Sequence, residues 1–184
     1  FGQYNYYFDY TGQEVTNFFH PDGTRVVNYP GDRVLQTMQR RWLNHVKGVF
    51  YLGDNHILSA GIEHQHDYLK SPYRLKQGKA SVYTLASYAQ DEWSITNRLN
   101  LTFGYRFVHH KEFGQKFTPK ISAKYSLGDF NLRATYSYGF KAPTLKELYQ
   151  NYITVIMGPL KAYYGNENLK PQSSNYGSAS VEYS

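Results

Sequence analysis

The sequence predicts an all-β fold: an antiparallel, up-and-down segment of a transmembrane β-barrel, about eight strands, with one short helix in an outer loop. Three observations carry this. Apolar and polar residues alternate with period two along several segments. The connections between those segments are short and long by turns. The chain is also rich in aromatics (18%, with 20 Tyr), yet its mean hydropathy is only −0.64.

Composition narrows the field first. Twenty Lys+Arg against 14 Asp+Glu leave a formal charge of +6, and there is no Cys. A disulfide framework, a thiolate metal site and a thiol nucleophile are therefore excluded. The longest apolar run, Val49-Phe50-Tyr51-Leu52, is about four residues, against the roughly 20 that a membrane-spanning helix needs. Phe1 is followed by neither a basic nor an apolar leader, so the chain reads as an interior segment of a mature protein. Its aromatic content does not suit disorder. A soluble sandwich, a carbohydrate-binding sheet and a membrane barrel remain.

Alternation places the strands. Residues 99–107 carry apolar or aromatic side chains at every odd position, and polar residues or Gly at every even one. Phe117, Pro119, Ile121, Ala123, Tyr125 and Leu127 share one face, with Thr118, Lys120, Ser122, Lys124 and Ser126 on the other. Phe130, Leu132, Ala134, Tyr136, Tyr138 and Phe140 repeat the pattern, and Leu58, Ala60 and Ile62 form a shorter copy. Segments 1–10, 35–51, 80–94 and 173–184 alternate more weakly. Strands of 9–11 residues match the length that spans a bilayer when tilted.

The connections decide between sandwich and barrel. Those at 52–55, 95–98 and 127–129 are short; those at 11–34, 69–79, 111–116 and 142–172 are longer, and the two kinds alternate. In an up-and-down sheet this sends every tight turn to one rim and every large loop to the other, the arrangement of outer-membrane barrels. A face of Thr, Lys, Ser, Lys and Ser suits a wet lumen. Trp93 beside a short turn, and Tyr136, Tyr138 and Phe140 near the far end, fit interfacial girdles, although Tyr and Trp also favour strands for their own sake.

The loop at 140–172 carries most information. Pro143 ends a strand, and Thr144 with Glu147 forms a capping box. Leu145, Leu148, Tyr149, Tyr152 and Ile156 then recur at helical spacing until Gly158-Pro159, predicting a short amphipathic helix. Such a helix either covers the rim or faces a ligand.

Here the chain resembles a known family. Gly139-Phe140-Lys141-Ala142-Pro143-Thr144-Leu145-Lys146-Glu147-Leu148-Tyr149 and Gly165-Asn166-Glu167-Asn168-Leu169-Lys170-Pro171 are similar to the paired signature of TonB-dependent outer-membrane receptors, Gly-Phe-Arg-Ala-Pro followed by Gly-Asn-Pro-Asn-Leu-Lys-Pro-Glu. Tyr88-Ala89-Gln90-Asp91-Glu92-Trp93, Leu99 to Arg106, Phe113-Gly114 through Lys120, and Gly128 to Arg133 also look like the family. The resemblance is close over residues 80–184 and one of style over 1–79. It departs at Glu167, where the family has Pro, at Gln172, where Glu is common, and at Val108, His109 and His110, where an Asp-x-His is frequent.

The resemblance implies that residues 1–184 are part of a plugged barrel of the 22-strand class, with the plug and remaining strands elsewhere. It implies a receptor in the outer membrane of a Gram-negative bacterium, importing an iron chelate with energy transduced by TonB from an inner-membrane complex. The expected partners are TonB, a surface lipoprotein and outer-membrane lipid, with no nucleic acid. Haem or an iron-siderophore is the transported ligand, and no cofactor is held permanently. Phe140, Lys141, Ala142, Pro143, Asn166, Glu167, Asn168 and Leu169 are its motif residues.

No His lies between Pro143 and Gly165. The loop offers Tyr149, Tyr152, Met157, Tyr163 and Tyr164, with His20 from the 11–34 loop as an outside contributor; Tyr, Met and His all ligate haem. His64 and His66 share a strand face and could hold a transition metal, or sit as interfacial residues on the lipid side, which is the reading adopted; no metal site is assigned. His109 and His110 face opposite ways. The basic residues are scattered rather than clustered into a nucleic-acid stripe. No arrangement of nucleophile, base and acid points to an enzyme. A cobalamin importer of the same family and a non-transport surface protein binding carbohydrate are the alternatives.

Overall fold

The computed structural model describes residues 1–10, 16–19, 25–155 and 160–183. Its strands in chain order are β1 (Gly2–Asp9), β2 (Thr16–Phe19), β3 (Arg25–Asn28), β4 (Arg33–Leu52), β5 (His56–Lys70), β6 (Lys79–Ser94), β7 (Leu99–His110), β8 (Gly114–Leu127) and β9 (Phe130–Lys141). A helix α1 (Leu145–Tyr149), strands β10 (Asn151–Val155) and β11 (Leu160–Tyr164), and the strand β12 (Gln172–Tyr183) follow. Eight of the strands form one antiparallel sheet in the order β1-β4-β5-β6-β7-β8-β9-β12, while β2-β3 and β10-β11 are separate hairpins.

The expected sheet is present, with longer strands than a bare bilayer crossing requires. β4 has 20 residues and β6 has 16. The expected long connection after β7 is instead residues 111–113, because β8 begins at Gly114, whose φ of +66° suits glycine. The other connections at that end remain long. Those at the opposite end are tight, with Gly53 and Gly128 at positive φ.

Cα packing divides the chain into two units. One comprises Asn44–His64, Thr84–Ala142 and Pro171–Ser184. Its registers confirm the two faces read from the alternation. On the apolar face Phe103 pairs with Ile121, Ile121 with Tyr136, and Leu132 with Val181. On the polar face Ser122 pairs with Thr135 and Thr135 with Ser178. Arg106 donates to Glu63 at 2.7 Å, and Tyr88 Oη lies 2.7 Å from His45 Nε2. A Cβ on Gly61 would stand 2.6 Å from the Tyr88 ring, so glycine there lets the ring lie across β5. On the apolar side, at the tight-turn end, the His56 ring stacks on Trp93 with centroids 5.3 Å apart and meets Asp91 at 2.8 Å.

The other unit comprises Phe1–Leu43, Gln65–Tyr83 and Pro143–Lys170. It holds most of the fully buried apolar side chains among the described residues: Leu69, Leu75, Val82 and Leu148. The helix differs from the expectation. It is a single turn, ending at Tyr149, and Tyr152 lies on β10 instead of a continuing helix. The residues after the turn explain this. Ile153, Thr154 and Val155 are β-branched and resist helix, and they find ladder partners in Ala162, Lys161 and Leu160. The proposed stop at Gly158-Pro159 lies outside the described residues.

Candidate functional site

The site begins at the capping box, which forms as its residues predict. Thr144 N donates to Glu147 Oε2 at 2.7 Å, and Glu147 N donates to Thr144 Oγ1 at 3.3 Å. This starts α1 directly after Pro143 and turns Leu148 inward, where it is 3% exposed. The second half of the motif returns against the same turn. Gly165 N donates to Gln150 O at 2.6 Å and Asn166 N to Glu147 O at 2.9 Å. The backbones approach so closely that a Cβ on Gly165 would stand 2.6 Å from the carbonyl carbon and oxygen of Leu148. The two motif segments therefore act as one structural element. Asn166 also closes an Asx turn, its Oδ1 accepting from Asn168 N at 2.9 Å.

A second loop is tied to this element. Asn151 N donates to Arg74 O at 2.8 Å, Lys76 N to Tyr149 O at 3.4 Å, and Leu75 bridges to Gln150. Leu75, 2% exposed, fills the space under the turn. Beside it, burial first and the Asp32 carboxylate second raise the Tyr73 phenol above its ordinary 10.0.

These ties carry Arg74 to the mouth of the β10–β11 hairpin. Tyr152 and Tyr163 are direct cross-strand partners, and their rings stack at 4.9 Å with planes 9° apart. The Arg74 guanidinium lies 5.2 Å from the centre of the Tyr152 ring and 5.8 Å from that of Tyr6. Tyr6 sits at a register shift between Tyr6 and Tyr7 in the β1–β4 pairing, the kind of bulge that re-aims a side chain. Arg74 makes no ion pair among the described residues. A guanidinium held by two aromatic faces keeps its N–H donors for a partner in solution. Phenol rings beside it supply flat surface and hydroxyl groups. Such a cluster suits an oxygen-rich, anionic or aromatic ligand.

Of the residues expected at a site, Tyr152 and Tyr163 come together. Tyr164 lies on the opposite face of the hairpin and is exposed. Tyr149 ends α1 and uses its carbonyl to hold Lys76. His20 and Met157 lie outside the described residues. Among the motif residues, Phe140 and Lys141 end β9, paired with Ser173 and Gln172. Ala142 and Pro143 lead out of that strand, and Glu167, Asn168 and Leu169 are exposed. His64 and His66 are exposed, and no group of three metal-ligating side chains exists among the described residues. His110 is buried, its Nδ1 accepting from Glu112 N at 3.2 Å. Arg74 and Tyr6 were missed by sequence reasoning. A lone Arg in Ser71-Pro72-Tyr73-Arg74 carries no periodic signal, and its partners are distant in the chain.

Comparison with known proteins now fixes the family. The profile described as "TonB dependent receptor-like, beta-barrel" matches residues 1–184. The chain belongs to this family. This TonB-dependent receptor segment is 32% identical over 133 residues to an iron-regulated outer membrane virulence protein of Vibrio cholerae, covering 70% of this chain and 20% of that protein. It is 27% identical over 155 residues to the ferric enterobactin receptor PirA of Pseudomonas aeruginosa, covering 69% and 21%. The crystal structure of another ferric enterobactin receptor of P. aeruginosa, PfeA, superposes with a TM-score of 0.72 at 20% identity, covering 84% of this chain and 26% of that one. The chain thus spans about a fifth of the length of the curated relatives it matches. It is a segment of an outer-membrane β-barrel, with one apolar and one polar face to its sheet.

Proposed function

We propose that this TonB-dependent receptor segment forms wall and outer loops of an importer that captures a ferric siderophore and passes it inward with TonB-transduced energy. Residues 1–184 supply eight wall strands. On this reading the plug that contacts TonB, and the strands that pair with the free edges of β1 and β12, belong to the rest of the protein. The observation that carries the ligand reading is Arg74 between the Tyr6 and Tyr152 rings, with Tyr163 stacked behind. The names of the relatives point the same way.

The arrangement favours a ferric catecholate of the enterobactin kind. Its iron-bound oxygens carry negative charge that a guanidinium can meet with two parallel donors. Its catechol rings can lie against the Tyr152–Tyr163 stack. The backbone ties to Arg74 and Gln150 hold these groups in place before the ligand arrives, which lowers the ordering cost of capture.

The test is quenching of intrinsic fluorescence in the detergent-purified intact receptor by ferric enterobactin, hemin and cobalamin in parallel. Ferric enterobactin should bind with the highest affinity, and Arg74→Ala should weaken it by about tenfold, as for loss of one charge-assisted contact. Preferential binding of hemin with a Soret shift, or of cobalamin, would overturn the siderophore reading.

A further inference from the structure

The polar face of β8 carries cations that the wall does not neutralise. Arg106 is paired with Glu63 at 2.7 Å, and Arg133 with Glu182 at 3.1 Å. Lys116, Lys120 and Lys124, which share one face of β8, make no ion pair among the described residues. Glu92, on the same polar face, instead accepts from Gln90 at 3.0 Å.

The register adds a second point. Lys124 stands directly opposite Arg133 in the β8–β9 ladder. Like charges in that position oppose pairing, and the single Glu182 carboxylate answers only one of the two. Between the cations the face is lined by hydroxyls: Ser122 Oγ and Thr135 Oγ1 lie 2.9 Å apart, and Ser137 stands between Lys120 and Tyr176 across three strands. At about 3.3 Å per residue the lysines recur every ~13 Å along the strand.

We infer that Lys116, Lys120 and Lys124 form a cationic track on the lumen wall along which an anionic iron chelate moves from the outer rim toward the tight-turn end; this rests on the siderophore reading above. The even spacing of three point charges on one strand face favours a moving anion over a docked protein surface. The arginines of this wall, Arg106 and Arg133, each already meet a wall carboxylate, whereas the three lysines do not. A lysine ammonium is a flexible, hydrated point charge with no preferred docking geometry. Spaced point charges bind an anion well enough to admit it and weakly enough to release it to the next site, as in conducting pores. Movement along the track breaks and forms no covalent bond, and the charge of the chelate is unchanged.

The experiment uses the intact receptor in cells, comparing Lys120→Gln/Lys124→Gln and Lys120→Arg/Lys124→Arg with wild type. Surface binding at 0 °C and uptake at growth temperature are measured separately with radiolabelled iron, as ferric enterobactin (anionic) and as a neutral ferric trihydroxamate added at concentrations high enough to enter. The track predicts unchanged surface binding, ferric enterobactin uptake slower by about tenfold in the glutamine pair, and near wild-type uptake in the arginine pair, as two lost point charges would give. Uptake of the neutral chelate should not change. Equal uptake of ferric enterobactin with binding intact would overturn the track while leaving the receptor reading in place. Equal slowing of both chelates, with increased protease access to the lumen, would also overturn it and assign the lysines to an acidic protein surface filling the barrel. Failure of wild type to bind ferric enterobactin at all would remove the siderophore reading, and the track with it.

Discussion

Substitution of Gly165 by alanine tests whether the two halves of the family signature work as one element. The added Cβ would stand 2.6 Å from Leu148 C and O and 2.8 Å from Gln150 N. These are backbone atoms of a turn held by its own capping box, so they cannot swing aside as a flexible side chain would. Overpacking of this kind costs about 1–3 kcal/mol. Relief by separation would lose the bonds Gly165 N to Gln150 O and Asn166 N to Glu147 O, each worth about 1 kcal/mol net. The chain will take the cheaper route, so the expected local destabilisation is about 2 kcal/mol. Hydrogen exchange of the intact receptor in detergent reads this directly. The amides of Asn151 and Asn166 should exchange roughly 30-fold faster, as for local opening eased by that amount, while strand amides of β7 and β8 keep their protection. Affinity for ferric enterobactin should fall as well, because Tyr163 lies two residues from the substituted position. Unchanged exchange at Asn151 and Asn166 would refute the reasoning, since no backbone could then be in the way.

Much of the fold was legible because a half-wet sheet imposes period two on every strand. Residues 99–107, 117–127 and 130–140 showed it most cleanly, and the structure pairs them side by side as β7, β8 and β9. β4 and β5 were harder to bound, since Trp42, Leu43, Val46, Val49 and Phe50 blur the contrast between faces. The helix was overextended for a physical reason. Tyr152 and Ile156 fit helical spacing from Leu145, but β-branched Ile153, Thr154 and Val155 favour a strand once β11 is there to pair with. Periodicity registers spacing and is blind to a partner strand further along the chain. The same limit hid Arg74. Its role depends on Asn151 N and Lys76 N choosing carbonyls in another loop, and no local pattern records that choice.

Three further outcomes follow from the structure. Thr144→Ala removes the acceptor of Glu147 N and should destabilise the α1 turn by about 1 kcal/mol, seen as faster exchange of the Leu148 and Asn166 amides without loss of barrel heat-modifiability on gels. The raised phenol of Tyr73 means the unfolded loop releases its proton first as pH rises past 10.0; the loop's stability is therefore complete below that pH and declines above it. Proteolysis of the 71–78 loop should accelerate above pH 10 in wild type and stay flat in Tyr73→Phe, and identical profiles would disprove the linkage. The face assignment predicts that Phe103→Lys, on the lipid side, costs about 2–4 kcal/mol near mid-membrane, whereas Ser122→Lys, on the lumen side, folds in bilayers with near wild-type stability by urea titration.

The distribution of buried residues bears on how the proposed ligand cluster around Arg74 holds its shape. In a soluble protein, strands supply the dry core and loops drape over it. In the wall unit here, Ala86 and Val108 are the buried apolar side chains among the described residues. That unit buries little of its own apolar surface, as expected of a sheet with one apolar and one polar face in a barrel wall. The other unit differs: Leu75 and Leu148 of its loops are buried, together with Leu69 of β5 and Val82 of β6. Each buried Leu is worth about 1.5–3 kcal/mol relative to exposure, enough to offset the ordering of several loop residues. Arg74 adjoins Leu75 in the chain, so the cation proposed to meet the ligand is covalently next to a residue that holds the core. A loop that must meet a scarce ligand in one productive geometry gains from such a core, since disorder at the rim would be subtracted from affinity at each capture. The one-turn helix, the close approach at Gly165 and the buried Leu75 are thus parts of one device that orders these loops before any ligand arrives.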